Sequence, residues 1–441
     1  MLDERFIIKM KEYLGEEGFL EYENELSRSS KRALRVNSIK KPSSIPFDLT
    51  PVPYCENGYY FEYDKIGSHP LHHAGGVYVQ EPAAMVPIAS LEIKPDFRIL
   101  DTCAAPGGKS TQAAAFLGEN GFIISNEINP SRKKVLSGNI ERLGLLNAVV
   151  TSCDIETLTE DFGYFFDLVI VDAPCSGEGM FRKEPDALKD WSPENVSLCA
   201  ERQTEIIRSA SRAVAGGGYL LYSTCTFSRE ENEDIVNSFL EDNPDFSLVA
   251  PKEEILPYTL PSLTDVRMRR FYPHIASGEG QFTAIMKREG SEKREFVGSS
   301  GLSPLSREER KITEDFLGDI LLDFDSEKLF KFKESIVYID PRVPVPEKIS
   351  YSASVTLGEI SKGYFKPHHN LFSALGKSFK RKINLALDDV RLSAYLRGES
   401  FEEACENGYV AVLVEGVALG GGKAVNGQIK NHYPKGLRIQ H

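Results

Sequence analysis

FRILDTCAAPGGKSTQAAAFL, residues 97–117, reads as a short apolar strand ended by Asp101, a glycine-rich turn, and the opening of a helix. That order lets backbone amides point at a ligand where a strand gives way to a helix. The turn is not a Walker A loop, because the spacing of its glycines ahead of Lys109 fails that pattern. Outward from it, the same rhythm repeats. GFIISNE (121–127), AVVTSCD (148–154), DLVIVD (167–172) and GGYLLYST (217–224) read as further strands, with QFTAIMKR (281–288) as a sixth. Helices are expected between them over Lys109–Leu117, Ser131–Leu143 and Glu194–Val214. Strands alternating with helices predict an α/β, Rossmann-like domain built on a mostly parallel sheet.

In such a sheet, ligands bind at the carboxyl ends of the strands, so the residues that close each strand are the first candidates. Glu127 closes the second strand, as suits a carboxylate accepting hydrogen bonds from ribose hydroxyls. Asp154 closes the third, where an adenine edge would lie, and Asp172 closes the fourth. Two thiols follow strands of their own, Cys175 in VDAPCSGEG and Cys225 in YSTCTFSREENED. A helix starting just after Cys225 would favour its thiolate through the amide dipoles. Cys153 and Cys199 read as packing residues.

DTCAAPGGKS, the Asp172-Ala-Pro-Cys175-Ser-Gly segment and Ser223-Thr-Cys225, in that order, resemble the NOL1/NOP2/Sun family of RNA 5-methylcytosine methyltransferases, which use S-adenosylmethionine. KRKINLALDDVRLSAYLRGE (380–399) and GGGKAVNGQIKNHYPKGLRIQ (420–440) resemble the C-terminal tail of its bacterial small-subunit (16S) ribosomal RNA branch. The resemblance implies S-adenosylmethionine as cofactor and C5 methylation of a cytosine in the decoding region of that RNA. It implies Cys225 as nucleophile and Cys175 as the residue that assists release. It places the loop Cys103, Ala104, Ala105, Pro106, Gly107, Gly108 and Lys109 at the methionine end of the cofactor, with Glu127, Arg132, Asp154 and Asp172 around the rest. The chemistry explains two thiols: C5 becomes nucleophilic only after a thiolate adds at C6, and the adduct must afterwards be released. Asp172 would hold the protonated N3 that builds up as the ring is attacked.

Four regions are expected: an N-terminal α+β accessory RNA-binding region over 1–74, the methyltransferase domain over 75–290, a linker over 291–310, and a C-terminal α+β RNA-binding region with a PUA-like domain over 311–441. The 441 residues carry 52 Lys and Arg against 65 Asp and Glu, a formal charge of −13. This composition excludes a disordered or collagen-like chain. From 361 to 441 the balance reverses, with 12 basic residues against 7 acidic, a local +5 concentrated around Lys377, Lys380, Arg381 and Lys382. A second basic group is Arg267, Arg269 and Arg270; Arg35 and Asn37 are further candidates for an RNA-facing strand. Deleting residues from 311 onward is expected to weaken RNA capture and spare cofactor binding. Seven widely spaced cysteines without a C-x-x-C pair argue against disulfides and zinc, and His69, His72 and His73 lack partners at ligand spacing. No apolar run of membrane-spanning length is present, and the mixed charges of the first residues do not read as a secretion signal, so a cytoplasmic monomer without metal or membrane partner is expected, acting on ribosomal RNA or the small subunit.

Other readings are a transfer RNA cytosine methyltransferase of the same family and a non-catalytic RNA-binding assembly factor. The second has no use for two thiols at strand ends. An exocyclic-amine methylase would want an aromatic residue after Asp172-Ala-Pro, where Cys175 stands.

Overall fold

The computed structural model describes residues 2–296, 301–345, 347, 349–352 and 355–439. Its central sheet is built from β1 (Arg98–Asp101), β2 (Phe122–Asn126), β3 (Ala148–Ser152), β4 (Phe166–Asp172), β5 (Val214–Thr224), β6 (Gln281–Arg288) and β7 (Ser350–Ser352). The spatial order is β6-β5-β4-β1-β2-β3-β7, with short strands added beyond and beside β6. β1 to β5 are mutually parallel, whereas β6 runs antiparallel to β5 and β7 antiparallel to β3. The strands read as continuous apolar runs because helices cover both faces; Leu168, Val169, Ile170 and Val171 of β4 have no exposed surface. The helices Gly108–Ala114, Pro130–Leu143 and Pro193–Ser211 stand where the sequence places them, the last two capped by Asn129 and Ser192.

The first helix, Glu4–Leu26, breaks at Gly15, whose φ of 72° interrupts the helical backbone. A four-stranded antiparallel sheet follows, with Arg32–Val36 in its interior. This sheet does not pack as a free-standing layer. Leu34, Phe61, Leu71 and Val77 share one core with Leu385, Tyr395, Val412 and Val417 from the far end of the chain. Lys40 ties the junction: its buried ammonium donates to the carbonyls of Ala74, Arg142 and Ala418 and to Ser373 Oγ, at 2.8–3.2 Å.

Two five-stranded sheets make up the C-terminal part. Of the expected linker, 297–300 lie outside the described residues, while Ser303–Pro304 already pairs with Leu329–Phe332 in the first of these sheets. The chain then returns to the central sheet. β7 pairs with β3, and Val337, Ile339, Val343, Val345, Ile349 and Tyr351 belong to the same core as Leu100, Val149 and Val169. The expectation that removing residues from 311 onward would spare cofactor binding meets this packing: that segment completes the core of the cofactor domain.

Three basic candidates also change meaning. Arg35 is buried and donates to Gln80 Oε1, Gly108 O and Thr111 Oγ1, so it fastens the glycine-rich turn to the N-terminal sheet. Asn37 donates to Gly75 O and Leu143 O. Arg270 is 1% exposed, with its Nε 2.7 Å from Glu233 Oε1, and Arg269 is held by Thr259. Partners distant in sequence neutralise or satisfy these groups inside the fold, which a count of charges cannot reveal. Among the described residues, no helix is long and apolar enough to cross a membrane, and no group of three or more His, Cys, Asp or Glu side chains is arranged to hold a metal ion.

Candidate active site

A cleft of about 1160 Å³ opens at the carboxyl ends of β1 to β5. Cys103, Ala105, Glu127, Arg132, Asp154, Asp172, Cys175 and Cys225 all line it. Ala104, Pro106, Gly107, Gly108 and Lys109 do not; they shape the turn. Ala104 N–H donates to Asn126 O, the Ala105–Pro106 peptide is cis, and Asn139 donates to Pro106 O. Gly107 has a φ of 110°, open to glycine, and a Cβ there would stand 3.1 Å from Leu136. Ser110 Oγ donates to Asp101 Oδ2 at 2.6 Å, and burial pushes the Asp101 carboxyl up to about 7. Burial likewise pushes the Cys103 thiol up to about 12, so it stays a neutral thiol.

Glu127 is 2% exposed. Its Oε1 accepts from Asn129 N–H at 2.9 Å, while Oε2 is buried without a hydrogen bond and lies 3.2 Å from Arg132 Nη1. Arg132 also donates to Ala105 O at 2.8 Å, linking the carboxylate to the turn. A buried carboxylate oxygen without a hydrogen bond, paired only with Arg132 at a cleft wall, suits a ligand hydroxyl. Asp154 is different. It is exposed, caps the helix Ile155–Glu160, and accepts from Thr157 N–H and Oγ1, bonds that hold its carboxyl below the usual range. A cap-forming acid looks the same in sequence as a ligand-binding one.

At the other end of the cleft the two thiols meet, with Cys175 Sγ 3.2 Å from Cys225 Sγ. That hydrogen bond, and burial after it, hold the Cys175 thiol well above its ordinary range, so Cys175 keeps its proton and can donate it. Cys225 does not sit at a helix start, contrary to expectation. The next helix begins only at Glu233, and a loop intervenes. Asp172 faces Ser223 across β4 and β5 and accepts from its Oγ at 2.8 Å; Lys109 Nζ lies 2.8 Å from the other oxygen. Lys109 thus serves Asp172 from behind.

Residues the motifs did not single out hold this end together. Glu231 and Gln203 are wholly buried and bind the loop around Cys175. Glu178 is bound by Trp191 Nε1 at 2.7 Å and by Lys9 of the first helix. Trp191 is accordingly a packing residue, 7% exposed. The acidic run SREENED after Cys225 was the available signal, but acids near a helix start are ordinarily solvated.

An open sheet of this order, with a glycine-rich first turn and a buried acid closing the second strand, is Rossmann-like, and the chain matches the methyltransferases of that class, whose methyl donor is S-adenosylmethionine. The Glu127 carboxylate, with one oxygen lacking a hydrogen bond, fits a ribose hydroxyl, and the cleft is roomy enough for a nucleoside with its amino-acid tail. Family models agree in three parts: 16S rRNA methyltransferase RsmB/F over 88–287, the N-terminal domain of 16S rRNA methyltransferase RsmF over 2–82, and the methyltransferase RsmF PUA domain over 382–439. Ribosomal RNA small subunit methyltransferase F of Cronobacter sakazakii is 32% identical over 93% of this chain and 90% of its own length. That of Klebsiella pneumoniae is 33% identical over 93% and 91%. The chain belongs to this family of 16S ribosomal RNA methyltransferases. Among solved structures, a methyltransferase homologue from Pyrococcus horikoshii superposes with a TM-score of 0.55 at 27% identity, covering 65% of this chain and 95% of that one. NSun6 from the same organism, at 21% identity and a TM-score of 0.59, covers 66% of this chain and 99% of its own and shares the fold.

Proposed function

We propose that this protein methylates C5 of cytosine in the decoding region of 16S ribosomal RNA, through a covalent bond between Cys225 and C6 of the base. The carrying observation is the contact between Cys175 and Cys225 at the cleft, beside an Asp172 carboxylate held by Lys109 and Ser223. Bound S-adenosylmethionine supplies the methyl group from its sulfonium. Glu127 takes its ribose, and Cys103 and Ala105 face it from the turn. Asp154, on the adenine side, contributes less than a buried acid would, being exposed and already committed as a cap.

Cys225, as thiolate, adds to C6; the electron pair moves toward C5 while Asp172 holds the proton on N3, a contact strongest as the charge develops. Once C5 carries the methyl group, solvent reaching the cleft takes its remaining proton, the electron pair of that C–H bond re-forms the C5=C6 double bond, and the bond between C6 and Sγ breaks to return Cys225 as a thiolate. Cys175, protonated and in contact with the departing sulfur, serves this release. A pure RNA-binding factor would need neither thiol there.

Cys225→Ala should abolish methyl transfer with cofactor affinity within a few fold of the parent. Cys175→Ala should accumulate a protein–RNA adduct that survives denaturation. An adduct with Cys225→Ala and none with Cys175→Ala would exchange the two roles, and substantial turnover by Cys225→Ala would end the reading. Bisulfite mapping of small-subunit RNA from cells with and without the gene identifies the base.

A further inference from the structure

Glu231 lies in the loop after Cys225 and has no exposed surface. Its Oε2 accepts from Ser176 N–H at 2.9 Å and from Gln203 Nε2 at 2.8 Å, and its Oε1 accepts from Ser176 Oγ. Gln203 Nε2 donates in addition to Pro174 O at 3.0 Å. Both neighbours of Cys175 are therefore gripped, Ser176 directly and Pro174 through Gln203. Ser176 Oγ also shares a hydrogen bond of 2.9 Å with Thr226 Oγ1, the residue following Cys225. Tyr222, on the strand that leads to Cys225, donates its hydroxyl to Glu231 O at 2.7 Å.

No lysine or arginine pairs with this carboxylate among the described residues. A buried carboxylate without a cation is a costly way to hold two loops together, and an apolar filler would stabilise the fold better. What it offers instead is an acceptor-only group with room for several donors, which fixes directions as well as distances. We propose that Glu231 is a positioning residue that sets the spacing and orientation of Cys175 against Cys225, an inference that rests on the thiol chemistry proposed above. A glutamine in its place would turn one acceptor into a donor facing Ser176 and Gln203. Gln203 Oε1, which has no hydrogen-bond partner, could accept from that new amide only if Gln203 turned over and released Pro174.

Two measurements on the full-length protein separate this from a plain stability effect. The first needs no RNA: diamide oxidises the two thiols to a disulfide, each giving up a proton and an electron to the azo bond, and the rate of forming the Cys175–Cys225 link is followed by mass mapping. The second is methyl transfer to small-subunit RNA. Glu231→Gln should slow the link at least tenfold and lower kcat at least tenfold, with KM for S-adenosylmethionine within twofold. Gln203→Met, which keeps the carboxylate but frees Pro174, should slow both by a smaller factor of roughly threefold; it decides the matter if Glu231→Gln does not fold. A link forming at the parental rate in either folded variant overturns the inference, whatever happens to kcat. A slowed link with unchanged methyl transfer would uphold the brace and refute the thiol chemistry it was taken to serve.

Discussion

Ending the chain at residue 310 is the perturbation that most directly tests how this fold is assembled. The cut leaves every motif of the cleft in place, yet it removes β7 and the apolar side chains behind it. Val337, Ile339, Val343, Val345 and Ile349 are at most 4% exposed and pack in the core of the central sheet. At about 1.5–3 kcal/mol for each buried aliphatic side chain, their loss comes to roughly 8–15 kcal/mol. Burial bookkeeping of this kind is an upper figure, but it matches the whole stability of an ordinary domain, about 5–15 kcal/mol. The 1–310 fragment should therefore be insoluble or only partly folded, and should show no cofactor-dependent rise in melting temperature. Ile339→Ala in the full chain isolates the effect: a cavity there should cost about 2–5 kcal/mol and lower the melting transition that S-adenosylmethionine protects. Thermal scans and calorimetric titration measure both. A soluble 1–310 fragment with the parental melting midpoint and cofactor affinity would mean that the C-terminal part is not needed for this core.

Glu127→Ala should weaken S-adenosylmethionine by about 1–3 kcal/mol, the cost of removing a buried hydrogen-bonding partner, while Asp154→Ala should change cofactor affinity far less and instead destabilise its helix by about 0.5–2 kcal/mol; equal losses of affinity in calorimetry would contradict the contrast drawn here. The raised carboxyl of Asp101 sets a pH dependence: from 3.8 it moves up to about 7, so its stabilising contribution is complete below the unfolded value and is lost as pH climbs through the folded one. At 1.36 kcal/mol per pH unit the loss approaches about 4 kcal/mol, and Asp101→Asn should flatten the fall in melting temperature between about pH 4 and about pH 7; an identical slope in the variant would reject the assignment. Arg270→Met should lower stability by about 3–5 kcal/mol, through the unpaired Glu233 it leaves, with no change in the salt dependence of RNA binding; a flattened salt slope would return this arginine to the RNA surface.

The central sheet was legible because its strands are buried on both faces and so read as apolar runs, and the cleft was legible because ligands gather where such strands end. Cys175 and Cys225 could be placed in one site from their strands alone. What the sequence hid was the commitment of polar groups. Asp154 and Glu127 both close strands and line the cleft, but only Glu127 is buried there with an oxygen lacking a hydrogen bond. Arg35 and Arg270 were candidates for RNA because charge is visible in a sequence and burial is not; their partners Thr111 and Glu233 lie far along the chain. The role of Glu231 is invisible in the sequence for the same reason, its donors coming from Ser176 and Gln203. β7 is three residues of Ser-Tyr-Ser, too short and polar to announce a strand, and it exists because the free edge of β3 accepts it.

The ammonium of Lys40 bears on how freely the parts of this enzyme can be exchanged. It lies against oxygens contributed by the N-terminal layer, the helix that follows the glycine-rich turn's neighbour strand, and two places in the C-terminal part. A chimaera that borrows its tail from a relative would inherit a lysine sealed in the interior with half its oxygens missing, and burial already presses that lysine to give up its charge. Grafts would succeed only where the donor brings the Ser373 hydroxyl and the Ala418 carbonyl to the same point, or where position 40 is changed along with them. The tail is therefore not a detachable adaptor; the unit of exchange is the tail together with the loop that carries Lys40.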